Sequence, residues 1–249
     1  MSFPEEPFNL SITEGGGYYP ATIHQKLKDD KYEIVRKLGY GPRSSTWLVF
    51  DILLDSYFAV KILTVAASSE RAKRQELPIL KAAAGKSFWE KSAQGDHLCV
   101  VMKPLSTSVQ DLVQETENKK LQVGVVQRIA CTVAKALADL HGSNIMHGGK
   151  WLVRIGVLSS LISVSAVKAD NIFFTAATET EFLKAILDTE PAPTTVKVKK
   201  YTTVRSQPLA QSFKQYKKST VADWHFILSN FGHGGFIFLK YNYTILIRR

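Results

Sequence analysis

The chain has 249 residues, 45% hydrophobic and 22% charged, enough for one large domain or two small lobes with a buried core. Its formal charge is +10, and its two cysteines, Cys99 and Cys131, are too few for a disulfide framework or a zinc site. The longest uncharged apolar-rich run, Ile155 to Val167, is too short to span a bilayer as a helix, and no apolar run follows a basic start. These features lead us to expect an intracellular protein, cytoplasmic or nuclear, with reduced core thiols and no membrane partner.

Residues 1–16 are rich in Pro, Glu and Gly and read as a mobile N-terminal arm. Residues 32–63 alternate as strands around a glycine turn. Ser68 to Ala84 reads as a helix with Leu77, Ile79, Leu80 and Ala83 on one face, disturbed by Pro78. His97 to Met102 is a buried-type strand, and Lys103-Pro104-Leu105 ends it like a hinge. Val109 to Gln114 predicts a short helix. Val125 to His141 predicts a long one, with Val126, Ile129, Ala130, Val133, Leu137 and Leu140 on one face and Gly142 as its stop. Thr178 to Leu187 predicts another short helix, Pro191 to Thr220 reads as an insert, and Trp224 to Leu228 is strand-like.

The charge is uneven. Residues 1–148 carry 18 Lys and Arg against 16 Asp and Glu, whereas residues 149–249 carry 14 against 6. Lys197, Lys199, Lys200, Arg205, Lys214, Lys217 and Lys218 fall in one stretch without an acid. Such a run can serve an RNA or an acidic partner. With no nucleic-acid module beside it, the reading preferred here is a solvated loop, and nucleic acid is not an expected partner.

The sharpest signal is Leu38-Gly39-Tyr40-Gly41-Pro42-Arg43-Ser44-Ser45-Thr46-Trp47, followed by the strand Tyr57-Phe58-Ala59-Val60-Lys61-Ile62-Leu63. Glycines let backbone N–H groups approach a phosphate without a Cβ in the way. A lysine on the next strand adds a point charge. The pair predicts a nucleotide phosphate site.

Gly39-Tyr40-Gly41 and Ser44-Ser45-Thr46-Trp47-Leu48 resemble the glycine loop of protein kinases, in the version found in SR-protein kinases. The resemblance covers roughly residues 16–148, resumes at 167–175 and returns near 221–233. It implies an α+β, protein-kinase-like fold with a complete small lobe and a truncated large lobe. The implied division is an arm at 1–16, a small lobe at 17–103, and a partial large lobe at 104–233. Insertions would fall at 149–166 and about 175–220, with an atypical tail at 234–249. It implies that ATP is held by Gly39, Gly41, Ser44 and Lys61, with Glu76 as the lysine's acidic partner and Glu70 as the alternative. Ala59 and Met102, the latter at the gatekeeper place, would line the adenine slot. Arg/Ser-rich proteins are the implied substrates.

The departures are as specific as the matches. Where the family has His, a spacer and a catalytic Asp, this chain has His147-Gly148 and then eighteen residues, Gly149 to Ala166, with no Asp or Glu. Val167-Lys168-Ala169-Asp170-Asn171 supplies the second half of the motif, so Lys168 would be the catalytic-loop residue that remains. Asn171 would be one Mg²⁺ ligand. The other would be Asn230, in Ser229-Asn230-Phe231-Gly232, where kinases keep an aspartate. An amide oxygen is a weaker ligand than a carboxylate for a hard dication. Past Gly232 the sequence carries no Ala-Pro-Glu motif, and Phe236 to Leu239 and Tyr243 to Ile247 look unrelated to the family. The expectation is a serine/threonine-kinase-like, ATP-binding protein with impaired phosphoryl transfer. The alternatives are a pseudokinase that binds nucleotide or a partner as a scaffold, and a non-functional truncated gene product. Excision of Gly149 to Ala166, as from a retained intron, would close the catalytic loop.

Overall fold

The computed structural model describes residues 5–8, 10–69, 86–116, 118–142, 145–146, 167–174, 180–190, 193–198, 201–209, 225–229 and 235–236. The expected helix at Ser68 to Ala84 lies almost wholly outside them, as do residues 149–166.

After a one-turn helix α1 (Ile12–Gly15) comes a six-stranded antiparallel sheet. Its strands are β1 (Lys26–Leu27), β2 (Tyr32–Gly41), β3 (Ser44–Asp51), β4 (Ser56–Leu63), β5 (Lys86–Ser92) and β6 (Gly95–Met102). The spatial order is β1-β2-β3-β4-β6-β5. The period-2 alternation of the sequence divides its side chains between two faces. Tyr32, Ile34, Trp47, Val49, Val60, Ile62, Cys99 and Val101 form the core of one face, with Phe8, Tyr18 and Tyr19 packed into it. The opposite face carries Leu48 against Leu183 and Leu209, with Leu63, Ala67, Leu98 and Val100 forming a neighbouring cluster.

The second core lies beyond the hinge. Helix α2 (Val109–Glu115) and helix α3 (Val123–Gly142) pack with β8 (Ile172–Phe174) and β11 (Phe226–Leu228) through Val109, Leu112, Val125, Ile129, Ile172, Phe174, Phe226 and Leu228. The strand β7 (Ile145–Met146) pairs with β12 (Gly235–Phe236). A 3₁₀ turn (Ala169–Asn171) precedes β8, helix α4 (Thr180–Thr189) follows it, and β9 (Thr195–Val198) and β10 (Tyr201–Val204) form a hairpin.

Several expectations need correction. The apolar stripe of α3 runs through Val125, Ile129, Val133, Ala136 and Leu137, while Val126 is exposed. Ile129, Val133 and Leu137 lie on the stripe as expected, whereas Val125 and Ala136 take the places expected of Val126 and Ala130, which are exposed. The segment read as a mobile arm is tied down: Glu5, Glu6 and Phe8 are buried, because two acids there meet a buried lysine and Phe8 stacks on Trp47. The segment read as a solvated insert contains the β9–β10 hairpin, with Val204 and Leu209 buried. From Val204 to Leu209 the chain straps across the sheet. The Gln207 N–H donates to the Lys37 carbonyl at 2.8 Å, and the Ser106 hydroxyl donates to the Leu209 carbonyl at 2.7 Å.

Helix α2 starts at a capping box. The Ser108 hydroxyl accepts from the Asp111 N–H at 3.1 Å, and the Asp111 carboxylate accepts from the Ser108 N–H at 3.2 Å and the Ser108 hydroxyl at 2.7 Å. Ser108 also bridges Phe173, so this cap fixes the chain leaving the hinge against β8. Ser108→Ala is expected to lower stability by about 1 kcal/mol in a urea titration. A loss under about 0.3 kcal/mol would mean that the cap carries no stability of its own.

Candidate functional site

The site residues converge through strand register. Thr46 on β3 lies opposite Lys61 on β4, and Lys61 lies opposite Val100 on β6. Leu48 pairs with Ala59, and Ala59 with Met102. Residues i and i+2 share a face, so Ser44, Thr46, Ala59, Lys61 and Met102 lie on the face opposite Trp47 and Val60. The glycine turn closes one end of this face, and the hinge after Met102 closes the other. Ala59 is buried, whereas Met102 is half-buried against the Leu63, Ala67, Leu98 and Val100 cluster.

The turn is built to approach something. A Cβ placed on Gly39 or Gly41 would meet no atom of the described residues within 4 Å, so none of them demands glycine at either position. What glycine leaves there is open space over the backbone. Ser44 is buried at the start of β3, and Lys61 is half-buried. From behind, the Tyr18 hydroxyl donates to the Gly41 carbonyl at 2.7 Å. Burial pushes that phenol up to about 12, so it stays protonated and keeps donating.

A second group surrounds Lys37, two residues before Gly39. Its ammonium is fully buried, donates to Glu5 at 2.7 Å and to the Val204 carbonyl at 2.9 Å, and also pairs with Glu6. It sits 5.3 Å from the ring centre of Tyr40, which lies between the two glycines. Burial, with Lys37 opposing it, raises the Glu6 carboxyl from 4.5 to about 7. The sequence reading missed this group, because its members are 31, 32 and 167 residues from Lys37 and no local pattern joins them.

The remaining candidates are dispersed. Glu76 lies outside the described residues, as do Glu70, His147 and Asn230. Lys168 is exposed at the start of the 3₁₀ turn, and Asp170 is exposed within it. Asn171 ends the turn, and its carbonyl accepts from the Ser229 N–H at 2.8 Å. The antiparallel pairing of Ile172 with Leu228 therefore places Asn171 beside the residue that precedes Asn230. Among the described residues no group of three or more His, Cys, Asp or Glu is placed to hold a metal ion. Both Asn171 and Asn230 offer neutral amide oxygens. That donor set does not fit a tightly held Mg²⁺, which favours carboxylate ligands.

An antiparallel small lobe with a glycine turn, a lysine on the strand beyond it and a hinge leading to a helical lobe defines a protein-kinase fold. A solved kinase domain has the same fold, with a TM-score of 0.51 and 17% identity, covering 91% of this chain and 57% of that one. The sequence is 28% identical over 141 residues to protein kinase dsk1 of Schizosaccharomyces pombe and to SRSF protein kinase 3 of Mus musculus. It is 25% identical over 144 residues to the serine/threonine-protein kinase SKY1 of Saccharomyces cerevisiae. Each alignment takes in 51% of this chain, and the chain spans 26%, 25% and 19% of these relatives respectively. No protein-family model matches. Over about half its length the chain is similar to protein kinases of the SR-protein kinase type. Among the described residues no helix is long and apolar enough to cross a membrane.

Proposed function

We propose that the chain binds ATP in the cleft below the glycine turn and that its phosphoryl transfer is impaired. One observation supports the first half above all: Lys61, Ala59 and Met102 share a face with an open glycine turn. Gly39, Gly41 and Ser44 would admit the phosphates, Lys61 would pair with them, and Ala59 and Met102 would line the base. The small lobe would end near residue 103. By likeness to the SRSF protein kinase, an Arg/Ser-rich protein is the substrate class, and a cytoplasmic or nuclear location fits it. The second half rests on the acid-free stretch after His147-Gly148 and on Asn230. These same features favour, as the second reading, a pseudokinase that keeps nucleotide or a partner bound without turning over.

Calorimetry with ATP tests the binding. Lys61→Ala should weaken it tenfold or more, since a charge-assisted hydrogen bond contributes about 1.5–3 kcal/mol. Replacing Mg²⁺ by EDTA should change the wild-type affinity little. Equal binding by wild type and Lys61→Ala would refute the role of Lys61. A large gain from Mg²⁺ would refute the poor metal site.

A further inference from the structure

Behind the glycine turn, on the sheet face opposite the cleft, three segments distant in sequence meet at one side chain. Lys37 of β2 is bound by Glu5 and Glu6 of the N-terminal segment and by the Val204 carbonyl at the end of β10. Glu5 is satisfied in full. Besides Lys37 it accepts from the Ser206 N–H and the Ser206 hydroxyl, both at 2.8 Å. Glu6 is not: its side chain is completely buried, and its Oε1 atom has no hydrogen-bond partner.

Two carboxylates on one ammonium, out of water, leave a charge that no other described residue opposes. Other charged or titratable groups facing the knot do not correct this. From β2 comes the Tyr40 ring, and from the segment after α1 comes the Tyr18 phenol, both held neutral by burial with Glu6 nearby. The strap contributes Val204 and Ser206, which are neutral, and the side chain of its Arg205 is exposed. A buried charge without a partner takes up a proton instead. Glu6 is the acid that does so, because its Oε1 has no hydrogen-bond donor among the described residues.

The knot reaches the turn by two routes. The Lys37 ammonium lies against Tyr40, and Tyr18 holds the Gly41 carbonyl. We propose that residues 5–8 form a proton-sensitive brace for the glycine turn, with Lys37 as the positioning residue through which it acts. With Glu6 protonated, one acid faces one ammonium and the brace is docked. With Glu6 ionised, the surplus charge drives residues 5–8 and the strap away from β2, and the turn loses its backing. Because the Glu6 carboxyl is raised from 4.5 to about 7 in the folded protein, the stabilisation is complete below about pH 4.5. It is lost as pH rises through about 7. Between pH 6 and pH 8 the opening equilibrium should shift about tenfold.

Hydrogen exchange on the full chain at pH 6 and pH 8, corrected for base-catalysed exchange, tests the brace without any ligand. Peptides covering residues 32–43 should lose about tenfold in protection at pH 8. Glu6→Gln should abolish that dependence, and so should Glu5→Gln, which also leaves one acid facing one ammonium. The same loss in Glu6→Gln as in wild type would overturn the brace. Should Glu6→Gln fail to fold, the wild-type melting midpoint must itself fall from pH 6 to pH 8, and a flat profile overturns the proposal. The positioning role rests on the nucleotide reading and has its own measurement. ATP affinity should fall severalfold from pH 6 to pH 8 in wild type relative to Glu6→Gln, and parallel profiles would refute it. If ATP binds neither wild type nor variant, the nucleotide reading fails, while the exchange result still decides the brace.

Discussion

Given radiolabelled ATP and an Arg-Ser-rich peptide, the purified chain should transfer phosphate at a rate near background, and Lys61→Ala should not reduce it further. Phosphoryl transfer needs the phosphates clamped, their charge neutralised by metal, and the acceptor hydroxyl oriented by a carboxylate. The clamp can form. The orienting carboxylate has no candidate between Gly148 and Asp170, because Gly149 to Ala166 contains neither Asp nor Glu. A positioned acid or base is worth roughly 10²–10⁴-fold. Weak metal neutralisation at Asn171 and Asn230 removes electrostatic stabilisation worth a comparable factor, although such factors do not simply multiply. Asp170 is the first acid after that stretch, exposed on the 3₁₀ turn. Robust transfer that disappears in both Lys61→Ala and Asp170→Asn would overturn the reading and identify the missing acid.

Lys37→Met should cost about 3–5 kcal/mol at pH 6, where the brace is docked, the range for removing one partner of a buried ion pair. Methionine fills the space of the aliphatic stem but leaves Glu5 and Glu6 without a cation, and both are buried. The penalty should shrink at pH 8, where ionised Glu6 has already released the brace in the wild type. Combining the change with Glu5→Gln and Glu6→Gln should restore most of the loss, since an apolar or neutral replacement of a whole buried cluster is often near neutral. Urea titrations at the two pH values give all of these numbers. A loss below 1 kcal/mol at pH 6 would show that water reaches the knot.

The sequence made the nucleotide end of the fold legible and its supports illegible, and the difference is one of range. Gly39, Gly41 and Lys61 sit in one hairpin-linked run, where alternation and turn chemistry are local signals. The register Thr46–Lys61 then follows from the turn at 52–55 that joins β3 to β4. Strand β5 was harder: Lys86 to Ser92 carries Lys86, Glu90 and Lys91 on an edge, and an edge strand shows only half the apolar pattern. The hairpin of Thr195–Val198 and Tyr201–Val204 was hidden by its lysines, which suggested solvent although Val204 points into the core. Glu5 and Glu6 had the composition of a free end. Only Lys37, a residue that reads as an exposed strand charge, makes them interior, and nothing near either site announces the other. On the site itself, the clustering of Asn171 with Ser229 came from the β8–β11 pairing, whereas Glu76 lies outside the described residues.

The strap also sets a timetable for synthesis. All six strands of the small-lobe sheet have been made once Met102 is joined to the chain, yet Val204, Ser206 and Gln207 are still about a hundred residues from being translated. A growing chain therefore holds a finished sheet whose Lys37 and Glu6 are already present but whose third anchor does not exist. Contacts separated by 167 and 201 residues close late and slowly, because a long loop must be gathered before they form. During that interval the back of β2 is an unfinished surface on the ribosome.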